Sequence, residues 1–168
     1  MTTHREPRPR AADKTEAYRQ LQRELAALLD GEHDLVANAA NTAALLFEAL
    51  PDLNWAGFYF ARAGGELVLG PFQGRPACVR IAAGRGVCGA AAQARRSLVV
   101  PDVHAFPGHI ACDAASNSEI VVPLVRGDAQ DGALLGVLDL DSPRLARFDE
   151  ADRAGLGDLA ATFLRSLG

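Results

Sequence analysis

The chain has 168 residues, a length that fits one compact domain with a single hydrophobic core. Hydrophobic residues make up 49% and charged residues 23%, which is typical of a globular protein, and no apolar run reaches the roughly 18 residues of a transmembrane helix. The net charge is −4 and the basic residues are dispersed, so we expect neither a nucleic acid partner nor membrane insertion.

The N-terminus carries scattered charge and prolines without the apolar run of a signal peptide. We predict a disordered tail at 1–14 and one domain at 15–168. Three cysteines, an odd number, without an export signal favour a reducing compartment with free thiols, so we expect a cytoplasmic protein.

Two helices are predicted first. Residues 15–29 show the apolar stripe of an amphipathic helix with Thr15 as its N-cap, and residues 34–50 form an alanine-rich helix that stops at Pro51.

Strand patterns dominate the rest of the chain, with one hairpin turn at Gly64 and Gly65 and another at 127–132. The predicted strands cover residues 54–61, 66–70, 78–81, 97–100, 120–125 and 134–141. A helix that ends near Arg95 and a C-terminal helix at 148–167 complete the set. Hairpins without crossovers predict an α+β fold, a central antiparallel sheet with helices on its faces.

The loop PDVHAFPGHIACDAASNSEIVVP at 101–123 holds Cys112, two histidines and several carboxylates. The other thiols, Cys78 and Cys88, lie upstream, and the spacing excludes a CxxC motif, so any pairing of cysteines must be tertiary. Redox or nucleophilic sulfur chemistry is the first hypothesis, and a small buried hydrophobic residue is the alternative for each cysteine.

Two other uses of this loop are weaker hypotheses. His104, His109, Cys112 and Cys88 are possible zinc ligands, but the tight pairs of a structural zinc site are missing, so we expect no metal. A histidine-activated cysteine hydrolase is also conceivable, although catalytic histidines usually come from elsewhere in the fold.

Acidic residues lie at the ends of the last two predicted strands. Asp139 and Asp141 in LDLDS alternate along one strand and therefore share a face, where like charges should raise one pKa; capping of the next turn is the alternative. Glu119 begins the neighbouring strand, so a thiol and three acids can meet in one pocket. Because carboxylates disfavour a nearby thiolate, a substrate with an ammonium group is indicated.

Trp55 and Tyr59 are four residues apart on a strand, hence on one face, where they can pack an apolar group or simply belong to the core.

From Asn54 onward the chain resembles the free methionine-(R)-sulfoxide reductases, which are built on a GAF-type domain. The motifs that carry the resemblance are GPFQG at 70–74, ACVRI at 77–81, GRGVCG at 84–89, DVHAFPGHIACDAASNSEIVVPL at 102–124 and LDLDS at 138–142. The resemblance implies a single GAF-like domain and reduction of free methionine sulfoxide. The hairpin at 126–136 is lengthened relative to the family, which affects only the pocket near Asp139.

The resemblance also implies roles for individual residues. Cys112 would attack the sulfoxide, Cys78 would be the main resolving thiol with Cys88 a secondary one, and thioredoxin would reduce the resulting disulfide. A protonated Glu119 or Asp141 would donate to the oxygen. The implied substrate-binding residues are Trp55, Tyr59, Glu119, Asp139 and Asp141.

The resemblance further suggests a homodimer that uses the N-terminal helices. A small-molecule sensor without catalytic activity is the alternative function, since GAF-type domains often serve that purpose.

Overall fold

The structure, a computed structural model, describes residues 14–109, 114–128 and 131–168. Its helices are α1 (Lys14–Leu28), α2 (Leu35–Ala49), α3 (Gly86–Ala94) and α4 (Glu150–Ser166). Its strands are β1 (Trp55–Ala61), β2 (Leu67–Gly74), β3 (Arg80–Ile81), β4 (Leu98–Val100), β5 (Ser118–Arg126) and β6 (Ala133–Ser142). No helix within these ranges is long and apolar enough to cross a bilayer.

The six strands form one antiparallel sheet in the order β3-β2-β1-β6-β5-β4. The predicted α+β class and antiparallel sheet are therefore confirmed. Two predictions fall on residues outside the described ranges: the tail, except for Lys14, and the nucleophile Cys112.

Side chains alternate between the two faces of the sheet, as the period of a strand requires. In β1, Phe58 joins a buried cluster with Leu46 of α2 and Phe163 of α4, whereas Tyr59 joins a second cluster with Val87 of α3. Helices α1, α2 and α4 thus cover one face, and α3 covers part of the other.

Several element boundaries differ from the predicted ones, and three of the differences have a clear structural reason. β2 continues past residue 70 to Gly74, because a register shift opposite Gly57 and Tyr59 accommodates Pro71, which lacks an N–H for the sheet. β5 begins at Ser118 rather than at residue 120, since Ser118 and Glu119 pair with the polar end of β6. α1 begins at Lys14, so Thr15 lies inside the helix and is not its N-cap.

A buried carboxylate fastens α1 to α4. Tyr18 donates a 2.7 Å hydrogen bond to Asp152 Oδ1, Arg147 Nη1 lies 3.2 Å from the same oxygen, and Lys14 Nζ contacts Asp152 Oδ2. Asp152 also closes the capping box of α4 with Asp149. These contacts tie the first described turn of α1 to the N-terminus of α4.

We expect Asp152→Ala to lower the free energy of unfolding by about 3 kcal/mol or more, because it leaves Arg147 and the Tyr18 hydroxyl buried without their acceptor. Asp158→Ala, the same change at an exposed position of α4, should shift it by no more than about 0.5 kcal/mol. Urea unfolding of both variants measures the difference, and equal stabilities would contradict this role of Asp152.

Candidate active site

Three adjacent strands bring the predicted site residues into one row. Trp55 of β1 pairs with Asp141 of β6, and Asp141 pairs with Glu119 of β5. Asp139 lies two residues before Asp141 on the same face, opposite Gly57. The predicted shared face of the two aspartates and their adjacency to Glu119 are confirmed.

An aromatic wall stands beside this row. The ring centroids of Trp55 and Tyr59 lie 5.8 Å apart and those of Trp55 and Phe72 5.3 Å apart, in stacked arrangements. Gly57 permits this stacking, since a Cβ there would lie 2.3 Å from Phe72 Cβ. Trp55 and Tyr59 are therefore both core residues and cavity walls.

The polar atoms of the wall hold the next segment of chain. Trp55 Nε1 donates to the carbonyl of Arg75 at 3.2 Å, and the Tyr59 hydroxyl donates to the carbonyl of Cys78 at 3.1 Å. The segment 75–78 is thereby fixed against the rim of the cavity.

Cys88 is the thiol that the structure brings to the acids. It lies in the first turn of α3, which begins at Gly86 with a φ of 62°, a conformation that glycine adopts without strain. Cys88 Sγ lies 3.9 Å from Glu119 Oε1. One side-chain ligand atom each from Cys88, Glu119 and Asp139 lie within 4.8 Å of one another.

Burial of these three groups disfavours their charged forms. Burial, with the charges of Asp139 and Asp141, raises the pKa of Glu119 well above its ordinary value. Burial raises the pKa of Asp139 to about 7, partly offset by polar interactions with Cys88 and Glu119. Burial and the same acids raise the pKa of the Cys88 thiol. The site can therefore hold protons near neutral pH.

One carboxylate oxygen of Asp139 has no hydrogen-bond partner among the described residues. Asp139 is only 5% exposed, and the oxygen in question is Oδ1. A buried acceptor without a partner is costly, and Asp139 lines the cavity, so this oxygen is available to a ligand.

The cavity has a volume of about 540 Å³ up to and including its open mouth. It is lined by Trp55, Tyr59, Pro76, Ala77, Ile81, Arg85, Gly86, Val87, Cys88, His109, Ser116, Glu119, Asp139 and Asp141. Sequence reasoning missed Arg85, His109 and Ser116 as lining residues. The motif GRGVCG contains Arg85, but its place at the N-cap of α3 in the lining of the cavity depends on tertiary packing.

The three cysteines and the histidines of the loop are in different environments. Cys78 is disulfide-bonded, Cys88 is a free buried thiol, and Cys112 lies outside the described residues. His104 Nε2 lies 3.0 Å from Asn117 Oδ1, a contact that joins the loop to the residue before β5. Within the described residues, the group with metal-ligand geometry joins Cys88 to two acids and not to the histidines considered from the sequence.

Comparisons with known proteins agree with this geometry. The GAF domain family matches residues 13–166. The free methionine-R-sulfoxide reductase of Escherichia coli is 54% identical over 89% of this chain and 87% of that protein. The protein YtsP of Bacillus subtilis is 53% identical over 94% of both chains.

This chain belongs to the GAF-type free methionine-R-sulfoxide reductase family. The X-ray structure of the free methionine-R-sulfoxide reductase of Neisseria meningitidis in complex with its substrate has a TM-score of 0.87 and 49% identity to it. That likeness covers 94% of this chain and 92% of the other. The resemblance stated from the sequence motifs is therefore confirmed, and the chain is related to oxidoreductases along nearly its whole length.

We expect Asp139→Asn to stabilise this family member in a pH-dependent way. Between the ordinary pKa of 3.8 and the folded value of about 7, the folded state binds more protons than the unfolded state, so wild-type stability falls as pH rises through this window. Asp139→Asn does not lose stability in this window, because the asparagine side chain does not ionise. Thermal unfolding at pH 5 and pH 8, with a chelator present, should show a larger advantage for the variant at pH 8.

Asp158→Asn, at an exposed position, is the control and should parallel wild type at both pH values. Parallel curves for Asp139→Asn as well would show that Asp139 is not destabilised by burial.

Proposed function

We propose that this protein reduces free methionine-(R)-sulfoxide to methionine. The observation that carries the proposal is the meeting of an aromatic wall and buried acids in one cleft, in a chain 54% identical to a reductase of that name. The disulfide state of Cys78 at the rim of the same cleft supports thiol chemistry there.

The cleft suits a zwitterionic substrate with a polar sulfoxide. Glu119, Asp139 and Asp141 supply oxygens for an ammonium group, and the unpartnered Asp139 Oδ1 gains a donor when the substrate binds. Trp55 and Tyr59 offer an apolar surface for the methylthio end. A peptide-bound methionine lacks the free ammonium, which explains a preference for the free amino acid.

In the first chemical step, the thiolate of Cys112 attacks the sulfoxide sulfur and a protonated carboxyl donates to the sulfoxide oxygen. Glu119 and Asp141 are the candidate donors, and the burial of Glu119 among other acids favours its protonated form. The oxygen passes to Cys112 as a sulfenic acid and methionine leaves, so the sulfoxide sulfur gains two electrons that the cysteine sulfur loses.

In the second step, the thiol of Cys78 attacks the sulfenic acid, which forms a disulfide and releases water. The disulfide state of Cys78 and the free, buried state of Cys88 support Cys78 as the main resolving thiol. Its pairing with Cys112 is part of the proposal. A dithiol such as thioredoxin then exchanges with the disulfide, which fits the reducing conditions of the cytoplasm. The N-terminal helices α1 and α2 are the proposed contact of a homodimer.

The decisive assay follows NADPH oxidation with thioredoxin, thioredoxin reductase and free methionine-(R)-sulfoxide. Wild type should turn over, and Cys112→Ser should lose activity to background because it lacks the nucleophile. Cys88→Ser is the matched control and should retain most activity. Equal rates for wild type and Cys112→Ser would overturn the reductase proposal, and binding of the sulfoxide without turnover would favour the sensor.

The roles of Cys78 and Cys88 can be separated by counting thiols after one turnover without reductant. Wild type, which has three cysteines, should retain one free thiol. Cys78→Ser should stop at a sulfenic acid, which a dimedone adduct reveals by mass, unless Cys88 substitutes as the resolving thiol. A normal disulfide yield in Cys78→Ser, together with a loss in Cys88→Ser, would reverse the assignment.

The proton donor is tested by Glu119→Gln and Asp141→Asn. If Glu119 donates, Glu119→Gln should lower kcat by about 100-fold or more, since positioned acids contribute roughly 10²–10⁴ in rate. Asp141→Asn should then act mainly on KM. A loss of kcat in Asp141→Asn, with an effect of Glu119→Gln mainly on KM, would identify Asp141 as the proton donor.

A further inference from the structure

We propose that Cys88, Glu119 and Asp139 form a binding site for one thiophilic divalent cation of the Zn²⁺ class, and that this cation excludes the substrate from the cleft. The cation site follows from the geometry of the described residues alone. Its inhibitory consequence rests on the proposed function, because the same acids are proposed to hold the substrate.

The donor set consists of ligand types that zinc binds, in the number found where one coordination position stays open. Such sites have three protein ligands drawn from thiolate, imidazole and carboxylate, with water or another ligand in the fourth position. Here one sulfur and two carboxylate groups come from α3, β5 and β6, and all three residues are buried.

The distances are close to those of a loaded site. Ligand atoms at about 2.0–2.3 Å from one tetrahedral ion lie roughly 3–4 Å apart. Cys88 Sγ and Glu119 Oε1 are already 3.9 Å apart, and the widest separation in the group is within 4.8 Å. Side-chain movements of about 1 Å would therefore bring the three ligand atoms to the spacing of a tetrahedral site.

A second, independent observation indicates a missing ligand. Asp139 is only 5% exposed, it lines the cavity, and its Oδ1 has no hydrogen-bond partner within the described segments. A divalent cation satisfies this oxygen and stabilises the deprotonated forms of the three groups, which burial alone disfavours. Binding displaces the thiol proton, and any carboxyl proton, to solvent, so no oxidant or reductant is needed.

The cation and the substrate compete for one volume. An ion held by Glu119 and Asp139 occupies the oxygens proposed for the ammonium group, and all three ligand residues line the cavity. The cation therefore acts as a reversible inhibitor, and it removes Cys88 from any secondary role as a resolving thiol.

The test titrates the oxidised protein, in which thiol counting should find Cys88 as the one free thiol per chain, with Cd²⁺ as a spectroscopic substitute for Zn²⁺. We expect the ultraviolet sulfur-to-cadmium charge-transfer band to saturate at one equivalent and Zn²⁺ to displace it. Cys88→Ser should abolish the band, and Asp139→Asn should weaken Cd²⁺ binding by at least about tenfold. Asp141→Asn, in the same cleft but outside the cluster, should keep the band.

Absence of the band in wild type, or Cd²⁺ binding in Asp139→Asn as tight as in wild type, would overturn the site. Saturating methionine should raise the apparent Kd for Cd²⁺, and an unchanged Kd would overturn the competition. These readouts need no turnover. An inactive protein that binds Cd²⁺ would therefore contradict only the proposed function, whereas an active protein without the band would contradict only the cation site.

Discussion

The cross-strand register of β1, β6 and β5 is the constraint on which the site depends. It aligns Trp55, Asp141 and Glu119 across three strands. A slip of one residue would turn Asp139 and Asp141 toward the helical layer and Leu140 toward the cleft. The packing of the opposite face, around residues such as Phe58, therefore specifies where the acids lie. The position of the acids thus depends on hydrophobic residues that do not line the cleft.

The two faces of the sheet make opposite contributions to stability. The helical face buries large apolar side chains and anchors Asp152 with a tyrosine, an arginine and a lysine. The cleft face buries Glu119 and Asp139 without a cation beside them among the described contacts, an arrangement that disfavours the folded state. Sites that bind charged ligands commonly sacrifice stability in this way, and the well-packed opposite face allows it.

Local periodicity was sufficient to predict the six strands and the shared faces of Trp55 with Tyr59 and of Asp139 with Asp141, because strand geometry alone decides them. Contacts across the fold were not predictable in this way. Cys88 reaches the acids only because α3 packs against β5 and β6. The second half of β2 was not predicted, because glycine and proline usually end a strand. A bulge in the pairing with β1 makes this composition compatible with a strand.

The hydrogen bonds from Trp55 and Tyr59 to the carbonyls of Arg75 and Cys78 make the cleft wall and the disulfide segment one mechanical unit. A dithiol that draws Cys78 outward must break these bonds or carry both rings with it. The position of Cys78 and the wall of the cleft therefore depend on each other. In this arrangement Tyr59 is joined to the backbone of Cys78 itself, and Trp55 is joined to the same segment three residues earlier.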